Sequence, residues 1–313
     1  MKKRLVRLGA WAVTAGLLAL LFHKIPFHDV VAAARGAAGW TVPAAFVLTF
    51  VIYLADSFAI WKTFGWFLAQ LSLADILLVR GATYLLAAIN YNVGQGAIVY
   101  FVHRVARVPV IRGVATVLLI MGINVLALVF LATFGLAAAP AVPGTVKLIV
   151  VVAYVGFAVY IAAVIAKPRW LASRPLFDVL LGAGFGGHLR ALLVRLPHIA
   201  LLFTFQILML RGFGVAVPVV EAIAALPVVY FIAVLPISVQ GLGTTQATMV
   251  YFFARYAPGD AHAQQAAVLA ASLVGQMCSL MLQAALGVAC LRSRVGRALT
   301  ASVEAEIPPT AAA

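Results

Sequence analysis

Residues 90–104 read N-Y-N-V-G-Q-G-A-I-V-Y-F-V-H-R, and residues 241–255 read G-L-G-T-T-Q-A-T-M-V-Y-F-F-A-R. Both contain the pattern Gln-x-x-x-Val-Tyr-Phe-x-x-Arg, so Gln95 and Arg104 have the same spacing as Gln246 and Arg255. Each copy follows an apolar run interrupted by glycine and polar residues, as in the broken helices of membrane proteins. The alternative is that the repeated pattern arises by chance, because the composition is strongly biased towards apolar residues. Two matching interruptions predict a transporter built from two related halves.

The composition is that of a polytopic helical membrane protein. Of 313 residues, 65% are hydrophobic and only 10% are charged, and the mean hydropathy is +1.12. In a soluble domain about a quarter of the residues are charged. The much lower charged fraction of this chain therefore excludes a soluble domain. The net charge of +14 comes from basic residues between apolar runs, a pattern typical of topology signals and of contact with anionic headgroups rather than nucleic acid.

The apolar runs predict an all-α fold with about six full transmembrane helices and two re-entrant broken-helix hairpins in an inverted repeat. One hairpin is expected at 80–104, because its two arms are too short to cross about 30 Å of hydrocarbon. The other is expected at 218–256, where Pro227, Pro236, Gly241 and Gly243 break the apolar run. The stretch 63–79 is expected along the inner surface. The full crossings are predicted at about 5–23, 40–61, 113–134, 145–166, 196–214 and 265–291.

One integral-membrane domain is predicted over 1–295. It contains a first half at about 40–134, a cytoplasmic linker at about 167–195 and a second half at about 196–291, and a disordered tail follows at 296–313. The basic run Lys2-Lys3-Arg4 precedes an apolar run without a following cleavage site, which favours an uncleaved first helix. With six crossings both termini are cytoplasmic, and 17 of the 22 Lys and Arg residues lie inside. The five outside are Lys24, Arg35, Lys147, Arg211 and Arg255.

Residues 236–246 read P-I-S-V-Q-G-L-G-T-T-Q, and Gly94-Gln95 precede Arg104. Here the chain resembles the lysylphosphatidylglycerol synthase transmembrane-region, or flippase-like, family, which typically carries Pro-x-Ser-x-Gly-Gly-Leu-Gly-x-x-Glu at the second stretch and Gly-Glu at the first. The resemblance implies a multi-pass protein of the bacterial inner (cytoplasmic) membrane, whose relatives move aminoacylated phospholipids or other lipids between leaflets. The chain keeps Pro236, Ser238, Gly241, Leu242 and Gly243 of that pattern.

Two departures limit what the resemblance implies. Gln95 and Gln246 stand where the family usually has Glu, so a proton-coupled role for those carboxylates is not implied. No aminoacyl-transferase domain is expected after residue 291, so no synthase activity is implied. Transport of some lipid is still implied, but the identity of that lipid is not. The sequence contains no catalytic constellation, so the chain is predicted not to be an enzyme, and an intramembrane transferase is the alternative.

Polar residues near the interruptions are the candidate substrate-binding groups, because amides and free backbone groups can bind a headgroup without a buried charge. For Gly241 and Gly243, close helix packing is the alternative to a role in substrate binding. Arg104 and Arg255 are expected either to anchor the chain at the headgroups or to bind a lipid phosphate. The candidates are Asn90, Asn92, Gln95, Arg104, Ser238, Gln240, Gly241, Gly243, Thr245, Gln246, Arg255, Asn124 and Gln276.

Carboxylates are rare in the apolar part of the chain, which makes Glu221 and Asp56 the candidates for ion coupling. For Asp56, an ion pair with Lys62 or Arg80 is the favoured role. Asn124 and Gln276 are favoured as hydrogen-bonding groups between helices. Cys278 and Cys290 fall in one predicted helix and cannot pair with each other.

The sequence thus predicts a membrane lipid translocator. The histidines lack metal-ligand spacing, and neither a cofactor nor a metal is expected. The expected partner is an anionic or aminoacylated phospholipid. The alternative is a non-transporting partner or regulator of a lipid- or glycan-modifying enzyme, and a transporter of small solutes is a third reading.

Overall fold

The computed structural model describes residues 2–89, 91–138, 144–234, 238 and 241–293, and these residues are almost entirely helical. The described residues contain no strand, which confirms the all-α prediction. They form thirteen α-helices, and a 3-10 turn at Ala254–Tyr256 follows the twelfth. The helices are α1 Lys2–Lys24, α2 Phe27–Arg35, α3 Thr41–Phe67, α4 Leu73–Ile89, α5 Tyr91–Ala106, α6 Val110–Ala138, α7 Gly144–Ala166, α8 Arg169–Ala172, α9 Pro175–Gly182, α10 Gly184–Gly212, α11 Val219–Val234, α12 Thr244–Phe253 and α13 Ala261–Leu291.

Among the described residues, four helices are long and apolar enough to cross a membrane. They are α3, the Val110–Thr133 part of α6, α10 and α13. A fifth is added if the bent pair Thr14–Lys24 and Phe27–Arg35 is one span, although its two helices meet at 83°. These lengths and hydropathies support a multi-pass membrane protein.

Two pairs of shorter helices lie between the long ones. α4 and α5 pack against each other, and a Cβ on Gly94 would lie only 2.7 Å from the Ala87 Cβ, so this approach requires glycine. α11 packs against α12, which also contacts α1. At 1.5 Å per residue, α4, α5 and α11 are about 25 Å long and α12 about 15 Å.

The stretch 63–79, which was expected along the inner surface, contains the end of α3 and the start of α4, and its place relative to the membrane surface stays a prediction. α3 continues to Phe67, and Ser72 then caps α4, since its hydroxyl accepts the Asp75 N–H at 3.1 Å and donates to the Asp75 carboxylate at 2.7 Å. Such a cap starts a new helix. The residues from Leu73 onward therefore belong to the first helix of a packed pair.

α10 begins at Gly184, so it includes the last part of the predicted linker. Before it, Pro168 and Pro175 stand at the starts of the short helices α8 and α9. Proline is tolerated there because a backbone N–H at a helix start has no partner within the helix. The predicted tail 296–313 lies outside the described residues.

The described residues divide into two compact units, which lie within 1–52, 123–162 and 195–279 for unit 1 and within 53–122, 163–194 and 280–313 for unit 2. In unit 2 the core includes Phe64, Ile76 and Val102; in unit 1 the buried residues include Leu226 and Met249. Unit 1 contains α11 and α12, and unit 2 contains α4 and α5. The units differ in extent from the two predicted halves, and the inverted repeat stays a prediction.

Candidate functional site

The helix break between α11 and α12 depends on glycine at two positions. Gly241 has φ +70° and Gly243 has φ +85° and ψ −51°, a region that residues with a Cβ rarely adopt. A Cβ on Gly243 would also lie 2.8 Å from the Leu17 Cβ on α1. Close packing and backbone conformation therefore both require Gly243.

Gln246 fixes the start of α12. It is fully buried, at 0% exposed. Its Oε1 accepts a hydrogen bond from the Gly243 N–H at 2.7 Å, and its Nε2 donates to the Gln276 Oε1 on α13 at 2.7 Å. The first bond satisfies one of the backbone donors that a helix N-terminus leaves free. The neutral amide thus joins the helix break to α13.

Hydroxyl groups satisfy further polar groups of the break. The Thr244 hydroxyl donates to the Gly241 carbonyl at 3.0 Å. The Ser238 hydroxyl oxygen lies 2.8 Å from the Thr244 hydroxyl oxygen. Because the single hydroxyl hydrogen of Thr244 is used, Ser238 donates in this second bond. Thr245 is half-buried, and its Oγ1 would lie 2.7 Å from a Cβ on Gly241. We call Ser238, Gly241, Gly243, Thr244, Thr245, Gln246 and Gln276 the neutral polar cluster.

One buried hydroxyl lies next to this cluster on the same helix face. Ser272 precedes Gln276 by one turn of α13 and is 4% exposed. Its Oγ has no hydrogen-bond partner among the described residues. A buried polar atom without a partner costs about 1–3 kcal/mol, so a polar ligand atom that reached Ser272 would be stabilised.

The first interruption differs from the second. Gln95 lies on α5 and is half-buried, in contrast to the fully buried Gln246. Asn92 lies in the first turn of α5. The side chain of Asn92 lies outside the described part of the chain, as do residues Asn90 and Gln240. The expectation that both interruptions line one cavity stays a prediction.

Asp56 pairs with Arg80, one of its two expected partners. The Arg80 Nε donates to Asp56 Oδ2 at 2.5 Å, with side-chain exposures of 15% and 1%. The Arg80 guanidinium also lies 4.9 Å from the Tyr84 ring centre. The other expected partner, Lys62, lies over the Trp61 ring at 4.4 Å. The pair joins α3 to α4, which fits the favoured structural role.

The two arginines of the repeated pattern are exposed and have different partners. The Arg104 Nε donates to the Tyr100 hydroxyl at 3.2 Å, one turn earlier on α5. Arg255 Nη2 donates to the Tyr256 hydroxyl at 2.7 Å and lies 3.5 Å from Glu221 Oε2. Glu221 is thus an ion-pair partner at the start of α11.

Asn124 does form the predicted hydrogen bond between helices, but its partner was missed. Arg195 Nε on α10 donates to Asn124 Oδ1 on α6, and Arg195 is only 7% exposed. The predicted cytoplasmic linker ended at Arg195, so this residue was expected to contact water and not to be buried between helices. The available signal was the continuous run A-L-L-V-R-L at 191–196, in which one basic residue interrupts an apolar helix.

The chain matches no family model and no curated protein.

Proposed function

We propose that the protein is a lipid translocator that moves a phospholipid or lipid-linked headgroup between the leaflets of a bacterial inner membrane. The observation that carries this proposal is the neutral polar cluster, in which Gln246 is fully buried beside a helix break. Polar backbone and amide groups at a break are tolerated within a membrane where they are satisfied or face a polar pathway. Such a cluster suits a headgroup that must pass an apolar barrier.

The proposed topology has six crossings and two re-entrant pairs in an inverted repeat. Helix lengths support it, because six helices have 23 to 31 residues and four others have 10 to 17. A crossing needs roughly 20 residues. The proposed crossings are α1, α3, α6, α7, α10 and α13, and the proposed re-entrant pairs are α4 with α5 and α11 with α12.

In this mechanism the headgroup exchanges water for neutral hydrogen-bonding groups, while the acyl chains stay in the bilayer. Amides and hydroxyls can donate and accept hydrogen bonds, and they avoid the several kcal/mol that an unpaired buried charge costs. Gln246 and Gln276 would supply these groups in the second helix pair, and Gln95 in the first. The neutral site would bind the headgroup without holding it permanently.

The resemblance to the flippase-like family also supports the proposal. Two glycines of the family pattern, Gly241 and Gly243, have positive φ in this chain, so a physical requirement explains their presence. Gln246, which stands where the family usually has Glu, accepts a hydrogen bond from the Gly243 N–H. An amide oxygen can make this bond as a carboxylate would, but without a titratable group.

Arg104 and Arg255 are proposed to contact lipid phosphates at the inner and outer entrances. Both guanidinium groups are exposed and each is oriented by a tyrosine hydroxyl. Arginine binds phosphate through two parallel hydrogen bonds. An arginine held by a tyrosine loses less side-chain freedom when it binds.

The test is the movement of fluorescent phosphatidylglycerol in vesicles that contain the purified protein. Dithionite bleaches only the outer leaflet, so a protein-dependent second phase reports lipid arriving from the inner leaflet. We expect that phase in wild-type vesicles, and a slower one with Arg104→Ala or Arg255→Ala. Vesicles that bleach only half their label, together with a stoichiometric enzyme co-purifying from cells, would contradict translocation and favour the regulator reading.

A further inference from the structure

A cavity of about 440 Å³ lies in the loop between α10 and α11. Its size falls in the range of roughly 300–1,000 Å³ that is usual for small-molecule sites. The lining combines one basic side chain with mostly apolar walls. The lining residues are Arg211, Gly214, Val215, Ala216, Val217 and Pro218.

The loop that forms this cavity is joined to the turn that carries Arg255. The Ala216 N–H donates to the Tyr256 carbonyl at 3.1 Å. Glu221 follows the cavity in the first turn of α11, and its carboxylate lies 3.5 Å from the Arg255 Nη2. The cavity loop, Arg255 and Glu221 are therefore neighbours at one end of unit 1, and Arg211, in the last turn of α10, lines that cavity.

The Arg255–Glu221 ion pair is weak enough for another anion to replace Glu221 as the partner of Arg255. Its atoms are 3.5 Å apart, and the side chains are 58% and 30% exposed, so the pair contributes little to stability. The Tyr256 hydroxyl holds the same guanidinium at 2.7 Å. Loss of Glu221 would leave Arg255 oriented, because the tyrosine contact stays.

Tyr256 is also able to donate to a ligand. Desolvation by its surroundings raises the pKa of the Tyr256 hydroxyl. The hydroxyl keeps its hydrogen at neutral pH. It accepts a hydrogen bond from Arg255 and also interacts with the Glu221 carboxylate, so its hydrogen becomes available to a ligand oxygen when the ligand replaces that carboxylate.

We propose that this end of unit 1 is a binding site for the phosphate and glycerol portion of an anionic phospholipid. Arg211 and Arg255 bind the phosphate, the glycerol lies against the walls formed by Val215, Ala216 and Val217, and Glu221 is the internal counterion that the phosphate replaces. This inference deepens the proposed function, because it names the part of the lipid that one entrance recognises. The apolar walls favour a lipid over free phosphate, which would contact the two arginines alone.

The test is calorimetric titration of the purified full chain in dodecyl maltoside with dioctanoyl phosphatidylglycerol. Charge-assisted bonds to arginine are strong, so we expect Arg211→Ala and Arg255→Ala each to weaken binding by about tenfold or more. Glu221→Gln removes the competing carboxylate, so we expect it to tighten binding by about threefold or more. Arg35→Ala is the matched control: Arg35 is exposed on α2, outside the cavity, and its replacement should leave the affinity unchanged.

Three results would overturn the assignment. An equal loss with Arg35→Ala would mean that the lipid responds only to general surface charge. Unchanged or weaker binding with Glu221→Gln would exclude the counterion role. Inorganic phosphate that displaces the lipid at equal concentration would assign the site to free phosphate. Since this titration involves no transport, vesicles that fail to move lipid would reject the translocator while the binding result still stands.

Discussion

The side-chain amide of Gln246 donates a hydrogen bond to the Gln276 Oε1 at 2.7 Å, which joins the first turn of α12 to the middle of α13. The same Gln246 side chain accepts the Gly243 N–H. One neutral residue therefore satisfies a backbone donor at the helix break and fixes a ten-residue helix to one of 31 residues. A short helix has little stability of its own, so these two bonds position α12.

Replacing Gln246 with Leu should lower the stability of the protein. The Gly243 N–H and the Gln276 Oε1 would each lose a partner, and a buried unsatisfied group costs about 1–3 kcal/mol. We expect the apparent unfolding temperature in detergent to fall by several degrees. Gln70→Leu is the control, because Gln70 is exposed and its hydrogen bond within the described part of the chain is to the nearby Gly65 carbonyl. Equal unfolding temperatures for the two variants would show that the amide bonds are unimportant.

Gly243→Ala should be more destabilising than Gly214→Ala. Both glycines have positive φ, +85° and +76°, so both substitutions introduce backbone strain. At Gly243 the new Cβ would meet Leu17 at 2.8 Å, whereas at Gly214 no atom of the described residues lies within 4 Å. Thermal unfolding of the two variants measures the difference. Equal losses would mean that α1 moves aside without cost.

The Asp56–Arg80 pair predicts a recovery of stability in a double variant. Asp56→Leu alone leaves an unpaired guanidinium that is only 15% exposed, and Arg80→Leu leaves an unpaired carboxylate that is 1% exposed, so each should cost about 3–5 kcal/mol. Replacing both removes both buried charges, so the double variant should be much more stable than either single one. Thermal unfolding of the four proteins forms the cycle. Additive losses would exclude coupling between the two residues.

Helix positions were largely predictable from hydropathy. The run 145–166 was expected to be a helix, and α7 is Gly144–Ala166; the last crossing was expected at 265–291, and α13 begins four residues earlier. Long apolar runs report burial directly. The start of α4 was missed because its signal is the short cap made by Ser72, which apolar patterning does not contain.

Side-chain partners were less predictable than helices. The sequence offered Lys62 and Arg80 as alternatives for Asp56, and only helix packing selects Arg80. Arg195 and Asn124 are 71 residues apart, and hydropathy gives no information on which distant helices become neighbours. The repeated pattern also conceals a difference: Tyr100 contacts Arg104, whereas Tyr251 is 69% exposed and Arg255 contacts Tyr256 instead.

The most direct measurement of the central claim is the rate at which fluorescent phosphatidylglycerol crosses vesicles containing Gln246→Leu or Gln70→Leu protein, each checked for folding by its elution profile. If the neutral polar cluster carries the headgroup, the Gln246→Leu rate falls to that of protein-free vesicles, while the Gln70→Leu rate stays at the wild-type value. Folded Gln246→Leu protein that moves lipid at the wild-type rate would contradict the account.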